Sequence, residues 1–340
     1  MEELHKFSPG AQPLLALEDF RAAFRVRGRR LAAVDGVNLT VRPGEIVGVA
    51  GESGSGKSVM AQSILRLVEY DSDITYSGKI SFEGEDLLKK PRSRLGAIRG
   101  NRISMIFQDP LTSLNPVYTV GRQIDEVLRL HRGLSGAEAR RRTLELLDRT
   151  GIPSPRRCAG QYPHELSGGM QQRVMIAMAL ACEPSLLIAD EPTTALDVTI
   201  QDQILGMISD LNRETGMAVL LITHDLNVMA RVCHSVRVMY LGQIVEEAET
   251  GALFARPFHP YTQGLLACIP RLDVPRDEPL PVIPGIVPPL SAVPAGCRFC
   301  TRCPYADDRC RAEEPPAVEA GPGHYVKCWR FVAGDEEGRL

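Results

Sequence analysis

Short apolar runs and longer amphipathic segments alternate along most of the chain. The apolar runs predict strands over Leu14–Phe20, Leu39–Val41, Glu45–Ala50, Ile103–Phe107, Leu186–Ala189 and Ala218–Ile222. Apolar residues at helical spacing predict helices over Ser58–Glu69, Ser135–Arg149, Met170–Cys182 and Ile200–Arg213. The second of these helices opens with the capping box Ser135-Gly-Ala-Glu138. Strands that alternate with helices are typical of an α/β fold with a mostly parallel core sheet.

The composition changes near residue 270. Of the 25 prolines, 12 lie between Pro270 and Pro322, and five of the nine cysteines lie between Cys297 and Cys328. We therefore predict a catalytic domain over residues 14–270 and a proline-rich, cysteine-bearing tail over residues 271–340.

Charge and hydropathy exclude several classes of protein. The 340 residues carry 39 Lys and Arg against 42 Asp and Glu, a net charge of -3, which argues against broad nucleic-acid binding. The longest apolar run, Val174–Cys182, is far shorter than the about 20 residues of a membrane span. The first ten residues contain early acids and no apolar core, so we expect no signal peptide and a reducing, cytoplasmic environment.

A glycine-rich loop follows the strand predicted over Glu45–Ala50. Its sequence, Gly51-Glu52-Ser53-Gly54-Ser55-Gly56-Lys57-Ser58, matches the phosphate-binding pattern GxxxxGK[ST]. The glycines let backbone N–H groups face phosphate oxygens, and the following helix adds the positive end of its dipole. We expect Lys57 to reach the β- and γ-phosphates and the Ser58 hydroxyl to bind Mg²⁺. The strand and helix on either side disfavour the alternative, a flexible glycine turn.

Two acidic residues end the strand predicted over Leu186–Ala189. Beside a phosphate loop, Asp190 is suited to binding Mg²⁺, and Glu191 to orienting or deprotonating an attacking water. Alone, an apolar run followed by Asp-Glu is as often a strand that simply ends at the surface. Together with the phosphate loop, it predicts a nucleotide-hydrolysing site.

The helix predicted over Met170–Cys182 follows Ser167-Gly168-Gly169. A hydroxyl, backbone N–H groups and a helix dipole can form a second phosphate site. The same residues can form an ordinary N-cap in which Ser167 satisfies the first turn. A second phosphate site is useful if two copies meet face to face and share nucleotides.

These motifs and their order resemble those of ABC-type ATPases, over roughly residues 14–270. Residues 51–58 resemble the Walker A motif, residues 166–171 the signature motif and residues 186–191 the Walker B motif. The resemblance implies an ABC-type P-loop ATPase domain with a RecA-like core, a β-rich N-terminal subdomain and a helical subdomain at about residues 110–180. It also implies that the chain binds and hydrolyses ATP with Mg²⁺.

The remaining family motifs are present in the family order. Gln108 matches the Q-loop glutamine, which contacts Mg²⁺ and couples to the membrane subunit. Asp197, in Ala195-Leu-Asp197, matches the D-loop, and His224 matches the switch histidine that contacts the γ-phosphate. Phe24 is the candidate for the aromatic residue that stacks on adenine, although an aromatic residue in a β-rich segment is more often part of the core. The resemblance thus implies catalytic roles for Glu191, His224 and Gln108, and Mg²⁺ binding by Ser58, Gln108 and Asp190.

Narrower features resemble the ATP-binding subunits of oligopeptide and dipeptide importers. They are the segments Gln108–Pro116, His259-Pro-Tyr-Thr262 and Ile283–Pro289, together with the cysteine-bearing tail. The resemblance implies an ATPase that powers peptide import, with a nickel or other small-solute importer as the alternative. It implies a peripheral position on the cytoplasmic face of the inner membrane, bound to two integral-membrane permease subunits. Further implied partners are a second ATP-binding subunit (a paralogue or a copy) and an extracytoplasmic solute-binding protein, with no nucleic acid.

The tail cysteines form a second candidate site. Disulfides are not expected in the cytoplasm, which leaves unbonded thiols, zinc and an iron–sulfur cluster. Two residues separate Cys300 from Cys297 and two separate it from Cys303, a Cys-x₂-Cys spacing that suits paired zinc ligands. The importer branch carries Cys-x₅-Cys-x₆-Cys and a distant fourth cysteine. Cys297, Cys303, Cys310 and Cys328 match that pattern, so the resemblance implies a [4Fe-4S] cluster, with zinc as the alternative and Cys300 as surplus.

Three other functions fit parts of the sequence. ABC ATPases of DNA repair or chromosome structure that contain coiled coils have hundreds of residues between phosphate loop and signature, and the stretch from Gly51 to Ser167 leaves no room for them. Translation-factor relatives resemble two fused cassettes, and this chain has one. A metal-sensing module, in which the cysteine tail is the functional part, remains an alternative.

Overall fold

The computed structural model describes residues 12–109, 113–193, 198–269 and 281–332. The chain forms two compact units. The first takes its described residues from Met1–Leu14, Val41–Ile46 and Lys89–Ile222, and the second from Leu15–Thr40, Val47–Leu88 and Thr223–Leu340. Each unit is therefore assembled from segments that are distant in sequence.

Strands and helices alternate through most of the described ranges. The strands are β1 Leu15–Val26, β2 Arg29–Val41, β3 Ile46–Ala50, β4 Ile74–Phe82, β5 Glu85–Asp86, β6 Ile103–Ile106, β7 Leu186–Asp190, β8 Ala218–Ile222, β9 Ser235–Tyr240, β10 Gln243–Glu249, β11 Ala317–Gly321 and β12 His324–Lys327. The helices are α1 Lys57–Ile64, α2 Arg92–Leu95, α3 Val120–Arg132, α4 Gly136–Arg149, α5 Pro155–Cys158, α6 Gly168–Leu180, α7 Val198–Thr215, α8 Leu226–Val232, α9 Thr250–Ala255, α10 Pro260–Ala267 and α11 Asp308–Ala312. Within these ranges, no helix is both long enough and apolar enough to cross a membrane.

The first unit contains three adjacent parallel strands, β6, β7 and β8. All of their residues are buried, as continuous apolar runs covered on both faces should be. Helices α3 to α6 bury a separate apolar cluster that includes Val120, Ile124, Leu147 and Val174. The capping box predicted at Ser135 is confirmed: the side chains of Ser135 and Glu138 each accept the other's backbone N–H.

The second unit contains two sheets. One is a four-stranded sheet in the order β2-β1-β4-β5, in which β1 pairs antiparallel with β4. In the other, β3 pairs parallel with β9, and β9, β10, β12 and β11 follow as antiparallel neighbours. Strands β11 and β12 come from the cysteine-bearing tail. The tail is thus hydrogen-bonded to the sheet that contains the strand before the glycine-rich loop.

A buried carboxylate organises the start of α10. Glu246 on β10 accepts the backbone N–H groups of Phe258, at 2.6 Å, and His259, at 3.0 Å, and lies 2.7 Å from Nε2 of His324 on β12. His259 Nδ1 accepts the Tyr261 N–H at 3.0 Å and caps the helix, which has proline at its first position. The His259-Pro-Tyr-Thr262 motif is therefore the beginning of a helix. Burial lowers the pKa of His259 to about 4.

The lowered pKa of His259 predicts a loss of stability in mild acid. The unfolded histidine takes up a proton near pH 6.5, whereas the folded one stays neutral to about pH 4. Its contribution is therefore present above pH 6.5 and is lost as the pH falls toward 4, by up to about 1.4 kcal/mol per pH unit. His259→Asn keeps an acceptor for the helix cap and removes the titration. We expect its unfolding temperature to fall less than that of the wild type between pH 7.5 and pH 5.

The control is His164→Asn, which removes an exposed histidine and should follow the wild-type pH dependence. Equal acid destabilisation of wild type and His259→Asn would contradict the assignment.

Candidate active site

The glycine-rich loop, residues 51–56, connects β3 to α1 in the second unit. Gly51 has φ 151° and Gly56 has φ 102°, in the range that favours glycine. A Cβ at Gly51 would overlap with the carbonyl oxygen of Met239 on β9, and one at Gly56 with that of Ala33 on β2. Glycine at these two positions therefore lets the loop turn tightly against the neighbouring strands and present its backbone at the start of α1.

Lys57, the first residue of α1, folds back over the loop. Its Nζ donates to the carbonyl oxygens of Gly51, at 2.7 Å, and Glu52, at 2.9 Å, and to Oγ of Ser55, at 3.3 Å. Only 5% of Lys57 is exposed. The ammonium group is thus held inside the curve of the loop, which is where the phosphate-binding pattern requires it. Ser58, the proposed Mg²⁺ ligand, follows on the same first turn.

In the first unit, sheet register brings Gln108 and Glu191 together. Ile106 on β6 pairs with Ala189 on the parallel strand β7. Gln108 and Glu191 each follow their paired residue by two positions, so they lie beside each other just beyond the ends of the two strands. Gln108 Nε2 donates to the Glu191 carboxylate at 3.0 Å. Glu191 has φ 47°, and its N–H donates to the Ile222 carbonyl at the end of β8. Asp190, the residue before it, is 2% exposed.

The signature segment caps α6, in the same unit. Ser167 Oγ accepts the Met170 N–H at 3.4 Å, so the ordinary N-cap is present. Ser167 and Gly168 are exposed, and the helix N-terminus therefore faces outward from its unit. One turn on, Gln172 Nε2 donates to the carbonyl oxygen of Pro192 at 2.5 Å, which connects the helix to the segment after Glu191.

The remaining predicted site residues are His224, Phe24 and Asp197. His224 is exposed in the turn between β8 and α8, and the preceding Thr223 N–H donates to the carbonyl oxygen of Val49 on β3. Phe24 is half-buried on β1, opposite Ile74 on β4. Asp197 lies outside the described residues, as do Pro110–Thr112 of the Q-loop segment.

Sequence reasoning missed two groups that contact the phosphate loop. The hydroxyl of Tyr261 accepts the Glu52 N–H at 2.8 Å, and the guanidinium of Arg302 pairs with the Glu52 carboxylate at 2.6 Å. The His-Pro-Tyr-Thr motif was the available signal for Tyr261. Arg302 lies among the tail cysteines, in a segment that the sequence had already marked as a candidate site.

All five tail cysteines line one small cavity in the second unit, together with side chains such as His259, Phe299 and Trp329. Burial, together with the neighbouring thiols, raises the pKa of Cys297 to about 12 and those of Cys310 and Cys328 to about 11. Burial also raises the pKa of Cys303 and Cys300. Among the described residues, no three His, Cys, Asp or Glu side chains are grouped so that they could hold a metal ion.

Comparison with known sequences and structures agrees with these motifs. The sequence profile of the ABC transporter family matches residues 34–194, and that of the oligopeptide/dipeptide transporter C-terminal region matches residues 245–310. A "Probable peptide ABC transporter ATP-binding protein" of Sinorhizobium fredii is 51% identical, over 95% of this chain and 96% of that protein. A Brucella ovis protein named as a peptide import ATP-binding protein is 50% identical, over 95% of this chain and 99% of its own.

The fold agrees as well. A dimeric ATP-binding cassette, solved in a post-hydrolysis state with ADP and Pi, is 32% identical and superposes with a TM-score of 0.63 over 72% of this chain and 100% of its own. The chain is therefore an ABC-type P-loop ATPase of α/β fold, as the sequence predicted. It belongs to the ABC transporter family, among the ATP-binding proteins of the oligopeptide/dipeptide branch.

The bond between Gln108 and Glu191 generates a prediction for catalysis. In Glu191→Gln the new amide oxygen can still accept from Gln108, but the side chain can no longer take a proton from water. We expect ATP affinity within about twofold of wild type and turnover lower by about 10²-fold or more. Nucleotide titration and phosphate release from the full chain measure the two effects.

Glu145→Gln is a matched control, since Glu145 is exposed on α4 and pairs with Arg141 and Arg142. It should behave as wild type in both assays. Turnover of Glu191→Gln within twofold of wild type would remove Glu191 from the role of base.

Proposed function

We propose that this chain is the ATP-hydrolysing subunit that powers import of di- or oligopeptides. The observation that carries the proposal is the match of residues 245–310 to the oligopeptide/dipeptide transporter C-terminal region, in a chain whose relatives at about 50% identity are named for peptide import. The solute itself is selected by other subunits, so the tail and the relatives are the support for peptide over nickel.

The proposed ATP site consists of the motifs that resemble those of ABC-type ATPases. The cradle of residues 51–56, Lys57 and the start of α1 bind the phosphates of ATP. Ser58, Gln108 and Asp190 hold Mg²⁺, which offsets the charge that develops on the phosphate oxygens. Phe24 contacts the adenine. The position of the Lys57 ammonium group, which donates to the carbonyl oxygens of Gly51 and Glu52, supports a phosphate here, because it places a positive charge inside the loop.

In hydrolysis, a water molecule attacks the γ-phosphorus while Glu191 accepts a proton from it. The bond from that phosphorus to the bridging oxygen breaks, which yields ADP and inorganic phosphate. Gln108 orients Glu191 through their hydrogen bond, and His224 contacts the γ-phosphate. The hydrogen bond supports the assignment of both residues to one reaction.

The proposed assembly contains two ATP-binding subunits face to face. Ser167, Gly168 and Gly169 of one subunit contact the γ-phosphate held by the other, and we assign Asp197 to nucleotide binding. The outward-facing N-terminus of α6 suits this role, and the solved cassette similar to this chain is a dimer. Two integral-membrane permease subunits bind the pair at the cytoplasmic face of the inner membrane, and a solute-binding protein delivers peptide from the other side.

We propose that residues 271–340 are a distinct C-terminal region whose Cys297, Cys303, Cys310 and Cys328 hold a [4Fe-4S] cluster. The support is the spacing of these four cysteines, Cys-x₅-Cys-x₆-Cys with a distant fourth cysteine, which resembles that of the importer branch. All four thiols line one cavity, and a cluster takes one thiolate at each of four irons.

Uptake measurements test the transport function. In cells that lack this chain, uptake of labelled di- and oligopeptides should be lost, restored by the wild-type chain and not restored by Lys57→Ala. Nickel uptake should be unchanged throughout. Loss of nickel uptake with intact peptide uptake would contradict the proposal and favour the nickel importer.

Metal analysis tests the tail site. The full chain, purified without oxygen, should be brown, with iron and acid-labile sulfide near four each per chain. Cys303→Ser should lose most of both, whereas Cys300→Ser, which changes a thiol of the same cavity, should keep them. A colourless protein with one zinc per chain would decide for the alternative.

A further inference from the structure

We propose that Arg302 of the tail is a positioning residue for the phosphate loop and acts through Glu52. The inference rests on the proposed role of residues 51–58 in binding ATP. It does not depend on which solute is imported or which metal the tail holds.

Arg302 makes a two-point ion pair with the second residue of the loop. Its Nη1 donates to Glu52 Oε2 at 2.6 Å, and its Nη2 donates to Glu52 Oε1 at 3.1 Å. The guanidinium is itself held by the tail, since Nε donates to the Pro284 carbonyl at 2.9 Å and Nη2 to that of Ile283 at 3.3 Å. The Arg302 side chain is 3% exposed, whereas that of Glu52 is 29% exposed. A buried arginine with fixed donors therefore sets the position of a partly exposed carboxylate.

The main chain of Glu52 is held by the same region. Its N–H donates to the hydroxyl of Tyr261, whose ring packs on Tyr240 and Phe299, with centroids 4.7 and 5.3 Å away. Arg302 lies near the Tyr240 hydroxyl as well, at 3.5 Å. Glu52 is thus fixed at its backbone and at its side chain, both times by residues that follow β9.

The effect passes from Glu52 to Lys57. The Glu52 carbonyl accepts from Lys57 Nζ at 2.9 Å, so a shift of residue 52 moves an acceptor of the ammonium group that the motif assigns to the phosphates. The ion pair also reduces the negative charge of the phosphate loop. A carboxylate in a phosphate-binding loop repels ATP, and Arg302 neutralises it through direct hydrogen bonds. Loss of Arg302 would therefore misplace the loop and leave a negative charge beside the phosphates.

A second tail arginine provides the comparison. Arg298 also pairs with a carboxylate, Asp35 on β2, and that pair is similarly shielded, with side chains 10% and 17% exposed. It links the tail to a strand and not to Glu52. If tail arginines served only to hold the tail, the two pairs would be equivalent.

The experiment uses four variants of the full chain. Three are the single variants Arg302→Gln, Arg302→Lys and Arg298→Gln, and the fourth is a double variant that carries both Glu52→Gln and Arg302→Gln. Fluorescent ATP titration gives Kd, and phosphate release gives kcat and KM. We expect Arg302→Gln to raise Kd and KM about tenfold with kcat within about twofold, since the catalytic acid and base groups are untouched. Arg302→Lys, with the charge but not the two-point geometry, should be intermediate, and Arg298→Gln should stay within about twofold of wild type.

The double variant separates the charge of Glu52 from its position. Removing the unpaired carboxylate should restore only part of the ATP affinity, because the geometry that Arg302 imposes on Glu52 is still absent. A Kd for Arg302→Gln within twofold of wild type, equal defects in both arginine variants, or a double variant that binds ATP as tightly as wild type would each overturn the inference. A wild-type chain that does not bind ATP would instead contradict the proposed ATP site.

Discussion

The close approach of the phosphate loop to two backbone carbonyl groups is the constraint on which the ATP site depends. Gly51 faces the carbonyl of Met239 on β9, and Gly56 that of Ala33 on β2, with no room for a Cβ at either place. A side chain at either position would therefore require β2 or β9 to move. Lys57 donates into the loop interior, and Tyr261 and Arg302 hold its second residue. The conformation of the glycine-rich loop thus depends on contacts with distant segments of the second unit.

Three of the predicted strands are buried on both faces. β3, β7 and β8 are continuous apolar runs, so their pattern is visible without any knowledge of their neighbours. β10 was missed because its run, QIVEEAE, contains Glu246, whose carboxylate is buried only because it accepts two backbone N–H groups and contacts His324. Helix α1 ends at Ile64, earlier than predicted, since Arg66 adopts φ 52° and its guanidinium pairs with Glu69.

The candidate site residues also divide into those with a local sequence pattern and those whose contacts depend on distant segments. Residues 51–58, Asp190, Glu191 and Ser167 could be proposed from the sequence because their motifs are local and each follows a strand or precedes a helix. The hydrogen bond between Gln108 and Glu191 follows from the β6–β7 register, which the sequence does not state. Arg302 and Glu52 are 250 positions apart, and nothing in either segment points to the other. Chemistry that depends on long-range ion pairs is therefore visible only in the folded chain.

The described part of the proline-rich tail, residues 281–332, is hydrogen-bonded to other segments of the second unit. It contributes β11 and β12 to a sheet of the second unit, and Gln243 on β10 donates to Glu314 at 2.9 Å. The tight turns through residues 297–303 present Arg298 and Arg302 from one short segment toward Asp35 and Glu52. The cysteines at 297 and 303 bracket that segment. Asp35 on β2 and Glu52 in the glycine-rich loop are thus both paired with arginines of one short tail segment, which connects the tail to two distant parts of the second unit.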